Sequence, residues 1–484
     1  MPYDTNGDLK FPLVSILRLY IFKLIKGFRT YEILENYLRK NEEEAFQLGV
    51  FKNENNVLEI PPKRTFNHYL QTKISGIQKK ELERVAGEII LIANKKKILL
   101  DINIVKKTIK EKKKNYDREK REAIKLVKRL VYPNIDLKIK NNGKFTSKDL
   151  LDVLVHVALT HDFTNNGSFT FKEISHSKDN PSGDLMMYHF SKFKSVEKLR
   201  EMFNKILEVI LNFAKKNYNV LNQRRVDIAY DVHDIGFYGK SMNYLIGGEH
   251  KNGTSKFLKF LTCSIVVAGK RFILDIIPIH PLNSVDKLLN ESLTKVKNKI
   301  RINRVYLDRG FDKSKIINVL KSHKVNFLMP KVRTPTVKAW FDKSEECKSR
   351  VIKDFKIGRG ENKASANLVL VNDKLGIKRA FLCNFDIAPC LAYRLYGMYS
   401  KRWGIETAYR NIEQDFKART TTTNYHIRFF YFVFSACVYN LWILVNICVS
   451  LLIYGRVNDK PLITAKMFVL MLYMVKLEYF EGDG

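Results

Sequence analysis

The chain has 484 residues and a formal net charge of +35, from 85 Lys and Arg against 50 Asp and Glu. Its length allows two or three domains with at least one full hydrophobic core, and its six scattered cysteines, without CxxC spacing, argue against a disulfide framework or a zinc site. The excess of positive charge favours a polyanionic partner, with nucleic acid the commonest and a membrane surface the second. A generally lysine-rich organism is the alternative source of this charge.

The first part of the chain, residues 1–215, is predicted to be a mostly helical, basic, DNA-binding region. EILENYLRKNEEEAFQLGV indicates a helix that ends at Gly49, and PPKRTFNHYLQTKI begins with prolines that suit a helix start. Residues 95–129 hold fifteen Lys and Arg against five acidic residues, which is typical of a helix that grips DNA or of a solvated basic face. TNNGSFTF, residues 164–171, is predicted to be a loop.

A mixed α/β sheet is predicted from about residue 221 onwards. RRVDIAYD indicates a strand, and residues 256–279 indicate two long strands joined by a tight turn at 268–270. An amphipathic helix over 283–300 is followed by strand INRVYLD, helix GFDKSKIINVLKSH and strand VNFLMPK. This order of elements implies a mixed sheet. Short strand-like pieces among basic loops then predict a β-rich insertion over 331–390.

A single helix is predicted from Tyr399 to Lys417, with the sequence YSKRWGIETAYRNIEQDFK. The helical period places Tyr399, Arg402, Glu406 and Arg410 on one face, so that a carboxylate lies between basic side chains. A surface helix would scatter such charges. Their concentration on one face indicates a functional site.

The uncharged run over 429–454, FFYFVFSACVYNLWILVNICVSLLIY, is long enough to cross a bilayer. A membrane anchor and a helix buried in the core of a large soluble domain both fit that length. Asn440 and Asn446 would be costly in lipid without partners, and basic residues on both flanks give no bias in orientation. We therefore predict a buried helix.

Two aspartates stand at the ends of predicted strands, Asp231 in VDIAYDVHD and Asp308 in VYLDRGF. Open α/β sheets place their sites there, although each aspartate alone is more plainly a turn or cap residue. If the two strands are neighbours and the helix of Glu406 packs across them, the three carboxylates converge. Clustered carboxylates repel one another, so a cation is expected, and magnesium suits oxygen ligands. Two such ions can support phosphodiester cleavage.

These motifs resemble those of prokaryotic insertion-sequence transposases of the DDE type, and more narrowly the insertion-sequence-four group with its archaeal relatives. AYDVHDIGFYGK is similar to the first-aspartate motif of that group, and VYLDRGFDKSKIINVL to its second-aspartate strand and helix. Tyr399, Arg402 and Glu406 match most of its Tyr–Arg–Glu–Lys signature. The likeness covers roughly residues 221–450.

The resemblance implies an α/β ribonuclease H-like catalytic core over 216–455, interrupted by the β-rich insertion 331–390 and followed by a C-terminal tail over 456–484. Two Mg²⁺ ions, for which Mn²⁺ can substitute, are its implied cofactors. Its implied catalytic residues are also the metal ligands, namely Asp231, Asp308 and Glu406.

Basic and aromatic residues on the same helix are expected to contact DNA. Tyr399 and Arg402 would meet the DNA backbone beside the metal site, because the guanidinium fork of an arginine suits a phosphate. Seven residues after the catalytic glutamate, where the signature has lysine, this chain has Glu413. Lys417, one turn further on, or Arg410 could take the place of that lysine.

Four other residues need interpretation. Trp340, in the insertion, could stack on a flipped base if a hairpin forms at the transposon end, or could pack the insertion's own small core. Asp227 and Asp234 are close to Asp231, and only the family motif selects Asp231 as the first aspartate. His233, between Asp231 and Asp234, could be a metal ligand or a base, but we predict a turn residue near the site because hard metals prefer carboxylates.

The sequence thus predicts a cytoplasmic, cut-and-paste DNA transposase with a hairpin intermediate. Its partners would be the double-stranded DNA of the element ends and of the target, with a homodimer in the active complex and no membrane. Two alternatives remain open at this point: an inactive or repurposed DNA-binding protein, and a membrane-associated protein.

Overall fold

The protein forms two compact units, residues 1–112 and 113–484. Most of the basic segment 95–129 lies outside the described residues, so its helix and its DNA contact stay predictions. The computed structural model describes residues 11–26, 28, 30–95, 118, 120–125, 128–139, 143–175, 179–218, 220–221, 225–342, 349–360, 363–372 and 377–480.

The first unit is a small helical body with a core between α1, α2 and α4. Its elements in chain order are α1 (Leu13–Ile25), α2 (Tyr31–Lys40), α3 (Glu42–Gln47), β1 (Phe51–Lys52), β2 (Leu58–Glu59), α4 (Lys63–Thr72) and α5 (Gly76–Lys95). Thr30 caps α2 because its side chain accepts a hydrogen bond from the N–H of Ile33. The single helix predicted to end at Gly49 is therefore two helices, α2 and α3, and Gly49 follows with a φ of 86°.

Helices also precede the sheet in the second unit. They include α6 (Ser147–Thr160), α7 (Thr164–Ser175), α8 (Gly183–Ser191) and α9 (Val196–Tyr218). The apolar face of α9, with Phe203 and Leu207, is buried in the same core as the sheet. The boundary predicted at residue 215 therefore differs from the observed division after residue 112. An amphipathic period shows that a helix has a buried face, but not which element covers it.

The loop predicted over 164–171 is wrong, because these residues begin α7. Gly167 lies so close to α6 that a Cβ atom there would be 2.5 Å from Cγ2 of Val157. The hydroxyl groups of Thr164 and Tyr431 are 2.6 Å apart. Glycine and asparagine have low helix propensity, but here the close contact between two helices outweighs it.

One mixed sheet forms the centre of the second unit. Its spatial order is β4-β5-β3-β7-β8-β11-β10-β9, with β6 also paired to β5. Strand β3 runs parallel to β7, and β7 runs parallel to β8, whereas the other pairings are antiparallel. The strands are β3 (Val226–Gly236), β4 (Leu245–Lys251), β5 (Thr254–Ile265), β6 (Ile273–Pro278), β7 (Ile302–Leu307), β8 (Asn326–Pro330), β9 (Ser349–Ile357), β10 (Ala364–Asn372) and β11 (Lys378–Cys383).

The residues predicted as a β-rich insertion continue this sheet. Strand β11 pairs with β8, β10 pairs with β11, and β9 pairs with β10. The backbone of β8 thus supports the inserted strands, with the helix α12 (Pro335–Asp342) between β8 and β9.

Helices cover both faces of the sheet. Alternate residues of β3 point to opposite faces, so Tyr230 lies in a core with α9, α10 (Val285–Lys299), α11 (Ser314–Ser322) and α15 (Tyr425–Tyr454). Ala229 lies in the other core, beneath α13 (Arg394–Tyr399) and α14 (Trp403–Asn411). A mixed sheet surrounded by helices fits the predicted ribonuclease H-like core.

The helix predicted over 399–417 is not continuous. The chain forms α13, a 3₁₀ turn at Ser400–Arg402, α14 and then a π-helical turn at Ile412–Phe416. Such irregular turns are frequent at functional sites. The periodicity of the sequence predicts the helical segments correctly, but it does not show the breaks between them.

Helix α15 corresponds to the long apolar run. It is the one helix among the described residues that is long and apolar enough to cross a membrane, and 83% of its most apolar window is buried inside the protein. The side chain of Asn440 exchanges two hydrogen bonds with the backbone of Ile273 on β6, at 2.8 and 2.9 Å. Asn446 bonds in the same manner to the backbone of Ile463. Both amides thus have the partners that burial requires.

The predicted C-terminal tail contains a further helix, α16 (Ala465–Phe480). Phe468 and Val469 are buried in the core of the second unit, where α16 packs against α6. The described part of the tail is therefore docked on the body of the protein, because its apolar side chains are removed from water there.

Candidate active site

Two of the three candidate carboxylates lie side by side where the parallel pairing of two strands ends. Asp308 directly follows β7, but Asp231 lies in the middle of β3 and not at its end as predicted. The register of β3 and β7 pairs Tyr230 with Leu307, and Asp231 and Asp308 are the next residues along each strand. The carboxylate of Asp308 accepts a hydrogen bond from the N–H of Gly310, which holds it at the start of the turn. The three carboxylates can approach one another only if the strands of Asp231 and Asp308 are neighbours, and β3 and β7 are neighbours.

The third carboxylate, Glu406, comes from α14, which is fastened across the sheet at both ends. Before this helix, Nζ of Lys401 donates a hydrogen bond of 3.0 Å to Oδ2 of Asp227 on β3. Near its other end, the buried hydroxyl of Tyr409 bonds to the hydroxyl of Thr262 on β5. These contacts determine where Glu406 lies above the strands.

Asp227 anchors this arrangement rather than joining the three acids. It also accepts hydrogen bonds from Asn303 at 2.6 Å and from Tyr306 at 3.1 Å. Burial alone would raise the pKa of Asp227, but the bonds from Asn303 and Lys401 hold it below its usual value. Asp227 is thus a charged, buried and fully engaged group.

Arg402 bridges two of the three candidate acids. Its Nη2 donates a hydrogen bond of 2.6 Å to Oε1 of Glu406, and its Nη1 lies 3.7 Å from Oδ2 of Asp231. Only 7% of Arg402 is exposed. Nε and Nη1 are buried and have no hydrogen-bond acceptor among the described residues. A buried cation therefore lies at the point where the carboxylates converge.

The environment of Asp231 reflects this crowding of charge. Burial raises the pKa of its carboxyl group to about 7, with Arg402 opposing the rise and the negative charges of Asp308 and Glu406 adding to it. Such a shift means that the ionised form is short of stabilising positive charge. Strongly shifted groups in a cleft are candidates for functional sites.

The donor set fits a hard divalent cation once Arg402 releases Glu406. The three side chains offer carboxylate oxygens, which Mg²⁺ and Mn²⁺ prefer, and Asp231 is short of positive charge. Within the described residues, however, no three His, Cys, Asp or Glu side chains are grouped closely enough to hold a metal ion. The guanidinium between Asp231 and Glu406 explains why these two acids are not drawn together around a common centre.

An open cavity of about 620 Å³ lies beside the two aspartates. Its lining includes the carboxylates of Asp231, Asp286 and Asp308 and the lysines Lys313 and Lys315. Because the cavity is open, a phosphodiester could reach the carboxylates through it.

Glu413, which stands where the signature has lysine, has a defined role in the structure. Its Oε1 lies 3.3 Å from Nε2 of His233 and 3.5 Å from Nζ of Lys417. Burial would raise the pKa of Glu413, but His233 and Lys417 lower it to about 2. His233 is not in a turn as predicted: it is a buried residue of β3 whose ring stacks on Tyr409 at 4.2 Å.

The other predicted DNA-contacting residues differ in exposure. Tyr399 is half-buried against Phe381, and Arg410 is exposed to solvent on α14. Lys417 is half-buried and lines a cleft of about 960 Å³. Their contact with DNA stays a prediction, with Arg410 the most accessible of the cations.

Trp340 lies on α12 and is half-buried. Its ring packs against the core of the second unit, and the guanidinium of Arg350 lies 4.7 Å from the ring centroid. A base could stack on this ring only if Arg350 moved, so the observed contacts favour the packing interpretation.

Sequence reasoning missed the contact of Lys401 with Asp227 and that of Arg402 with Asp231, although the helical period did group Arg402 with Glu406. Neither missed contact has a local signal, since each joins residues that are distant in the chain. The alternation of β3 does place Asp227 and Asp231 on the same face of the sheet, and that was the one indication available.

Residues 223–441 match the family model described as the transposase DDE domain. This range contains all three candidate acids, and the match supports a DDE transposase domain in this part of the chain. No curated protein matches the chain. One solved structure similar to it is a cryo-EM structure of the piggyBac transposase synaptic complex with hairpin DNA. That likeness covers 75% of this chain and 79% of the other, with 15% identity and a TM-score of 0.46, which is too low to support a conclusion about function.

Proposed function

We propose that the chain is a DNA transposase that excises an insertion sequence and inserts it elsewhere by cut-and-paste. The observation that carries this proposal is that Asp231 and Asp308 are on neighbouring parallel strands and that Arg402 links Asp231 to Glu406 on the helix that crosses them, within the range that matches the transposase DDE domain. The finer assignment to the insertion-sequence-four group and its archaeal relatives rests on the Tyr399, Arg402 and Glu406 spacing.

Cleavage would be a substitution at phosphorus. The oxygen of a water molecule forms a bond to phosphorus, the bond to the 3′ oxygen breaks, and that oxygen leaves as a 3′-hydroxyl. The oxygen of this hydroxyl then attacks phosphorus in the opposite strand, and the 3′ oxygen of the flanking DNA leaves as a hydroxyl, which gives a hairpin end. Water opens the hairpin by attack at the same phosphorus, which breaks the new bond and restores the 3′-hydroxyl of the element. That hydroxyl then attacks a phosphorus of the target DNA and displaces a 3′ oxygen of the target strand. Divalent metal ions, which transposases of the DDE type generally use, would supply activation of the nucleophile and stabilisation of the leaving oxygen.

The residues of this chain would hold and orient the reacting groups. Asp231, Asp308 and Glu406 would bind the ions, which we propose to be two Mg²⁺ ions, with Mn²⁺ able to substitute. Arg402 neutralises Asp231 and Glu406 before the ions bind. When it is released it has buried N–H groups ready for a phosphate oxygen.

The same proposal includes a homodimer in the active complex, double-stranded DNA at the element ends and the target, and a cytoplasmic location without a membrane partner. The net charge of +35 supports a polyanionic partner. The burial of α15 inside the protein supports the proposal that this helix does not cross a membrane.

The test is strand cleavage of a duplex that carries the element's own ends, identified as inverted repeats flanking the gene. Purified protein should nick this duplex at the end of the element when Mg²⁺ or Mn²⁺ is present and not when EDTA is present. A mixed-sequence duplex is the matched control and should be cut far less.

Protein that binds these ends but never cuts them, with either ion, would contradict the proposal. The repurposed DNA-binding protein would then be the better interpretation, since Arg402 and Glu413 would have turned the site into a static network of ion pairs.

A further inference from the structure

The turn between β6 and α10 presents a leucine to solvent at the edge of the candidate active site. Leu282 is 90% exposed, more than any other large apolar side chain that the structure describes. The next residues along the chain, Asn283 and Ser284, line the open cavity of about 620 Å³ together with the two aspartates. Leu282 therefore lies at the rim of the cavity through which a phosphodiester would reach the carboxylates.

Hydrogen bonds within the turn fix the backbone of Leu282. The N–H of Asn283 donates a bond of 2.8 Å to the carbonyl oxygen of His280, which closes a β-turn with Pro281 in its second position, where proline is favoured. Oδ1 of Asn283 accepts a bond of 3.2 Å from the N–H of His280. Nδ1 of His280 accepts one of 3.3 Å from the N–H of Leu282. The residues on both sides of Leu282 thus hold it in place.

Aromatic rings connect this turn to the core of the second unit. The ring of His280 meets the ring of Tyr244 edge-on, with 5.0 Å between the centroids. Tyr244 stacks at 4.1 Å on Tyr425, which is buried at the start of α15. Displacement of Leu282 would therefore disturb packed side chains, so a partner that presses on it meets a rigid tip.

The fold gives no reason for a leucine at this position. Glycine, proline and small polar residues dominate turns, because they adopt the required backbone angles or bond to local backbone groups. Leu282 buries so little surface that the hydrophobic effect gains almost nothing from it in the free protein. A single exposed leucine is ordinary on a protein surface. It is the fixed turn and the place at the rim of the cavity that together indicate a partner.

The partner chemistry that suits a rigid apolar tip beside a DNA-cleaving site is the stacked interior of a duplex. Proteins that bend DNA insert leucine and similar side chains between base steps, which unstacks the step and kinks the duplex. Hairpin formation needs such a distortion, because the 3′-hydroxyl of one strand must reach a phosphorus atom of the other. An apolar side chain inserted beside the cut would supply it.

We propose that Leu282 is a wedge residue, which inserts between two base pairs next to the phosphodiester that is cut and unstacks them. The inference rests on the proposed function, since it takes duplex DNA as the substrate of the same site. Leu282 is a positioning residue: it takes no part in the chemistry and deforms the DNA around the reacting phosphorus atom.

The first measurement follows unstacking without cleavage. The fluorescent base 2-aminopurine, which is quenched by stacking, is placed at successive positions on both sides of the cut in a duplex that carries the element's end. Protein is added with EDTA present to prevent cutting. We expect the wild type to raise the fluorescence at one base step beside the cut. Leu282→Ala should lose most of this rise, whereas Leu282→Met, which keeps an apolar side chain of similar volume, should retain it.

The matched control is Leu452→Ala, which removes another exposed leucine, at 54% exposure. Leu452 is near the far end of α15, about 40 Å along the helix from Tyr425, and its loss should leave the fluorescence as in the wild type. No rise with the wild type, an equal rise with Leu282→Ala, or an equal loss in both alanine variants would overturn the wedge.

The second measurement uses cleavage in Mg²⁺ and a substrate that is already distorted. Leu282→Ala should nick a fully paired end about tenfold or more slowly than the wild type. A mismatch at the affected step should restore most of the rate, because unstacking costs least at a mismatched pair. A general defect of the protein would not be relieved by a change in the DNA, so a deficit that persists on the mismatched end would contradict the proposal.

The two measurements separate this inference from the proposed function. If the wild type unstacks the step through Leu282 and never cuts, the proposed function fails and the wedge stands. If the wild type cuts and the fluorescence does not depend on Leu282, the wedge is wrong and the proposed function stands.

Discussion

At the scale of single residues, the three acids and Arg402 determine what the site can do. Asp231 and Asp308 are neighbours because their strands are parallel and in register, and Glu406 reaches them from a helix that crosses the sheet. Arg402 is the only cation that contacts both Asp231 and Glu406 among the described ion pairs. Two predictions follow from this arrangement, one for the acids and one for the arginine.

Asp231→Asn, Asp308→Asn and Glu406→Gln should each abolish strand cleavage by orders of magnitude. Each change keeps the shape and the hydrogen bonding of the side chain while it removes one charge. A variant with two of these changes should cleave no more slowly than either single variant, because the loss of one ligand already disables the metal site. The measurement is the Mg²⁺-dependent nicking rate on the element's ends.

The matched control for this prediction is Asp234→Asn. Asp234 lies on the same strand with its carboxylate 3.5 Å from Lys259 and away from the three acids, so the change should leave most of the nicking activity. Asp227→Asn is less suitable as a control, because Asp227 is buried and holds Lys401. Loss of activity in Asp234→Asn with an active Asp231→Asn would show that the first aspartate is misassigned.

Arg402→Gln should lower stability by about 1–3 kcal/mol when no divalent ion is present, because two partly buried carboxylates lose their counter-charge. Mg²⁺ or Mn²⁺ should then raise the melting temperature of Arg402→Gln more than that of the wild type, since the ion no longer competes with the guanidinium. Thermal unfolding in EDTA and in each ion measures both effects.

Arg410→Gln is the comparison for this change, because Arg410 is exposed on the same helix and should shift stability by less than about 0.5 kcal/mol. Equal metal-induced stabilisation of wild type and Arg402→Gln would contradict the bridging role assigned to Arg402.

At the scale of elements, α15 and the interrupted helix before it show how the candidate site is held in place. The breaks around α14 occur where the chain must present Arg402 and Glu406 to the strands and then direct Glu413 toward His233. Helix α15 packs against the π-helical turn that follows α14. Its asparagines bind the backbone of β6 and of the segment before α16. These amides are therefore part of the tertiary structure.

Asn440→Ala should destabilise the protein by about 1–3 kcal/mol, because the N–H and C=O of Ile273 lose their partner in a buried position. Chemical denaturation measures the change. Leu452→Ala, at an exposed position of the same helix, should cost much less, and similar losses in both would mean that the Asn440 bonds contribute little.

Helix α15 should behave as an internal helix and not as a membrane anchor. Its most apolar window is 83% buried within the protein, and its two asparagines are bonded to protein backbone. Fractionation of expressing cells should recover the chain without detergent. Recovery only in carbonate-resistant membranes would contradict this prediction.

At the scale of the whole molecule, the net positive charge is the main determinant of binding to polyanions. A net charge of +35 is distributed over a chain whose described surface includes the exposed cations Arg309, Lys313, Lys315 and Arg333. Such a surface attracts any polyanion at long range, and salt screens that attraction.

Binding to duplex DNA should therefore be tight, weakly dependent on sequence and steeply dependent on salt. If six or more phosphates are neutralised, affinity should fall by about 10³ or more between low and physiological salt. Fluorescence anisotropy across a salt series is the measurement. A flat response would remove the electrostatic argument for DNA as the partner.

The sequence by itself determined the local features of this protein. The strand pattern placed Asp308 correctly after β7 but ended β3 too early, at Asp231. The helical period grouped Arg402 with Glu406, and the lack of charge over 429–454 indicated a buried helix. These features depend on neighbours within a few positions, so a pattern in the chain can show them. The family motif then selected Asp231 over Asp227 and Asp234.

Only the tertiary structure decided which of these features meet, and with what partners. The bond from Lys401 to Asp227, the pairing of Glu413 with His233 and the contact of Arg402 with Asp231 join residues that are distant in the chain. Helix α7 forms because Gly167 permits close contact with α6, although its local propensity predicts a loop. The placement of charge around Asp231 is likewise a result of packing, because burial and Arg402 together set the energy of its ionised form.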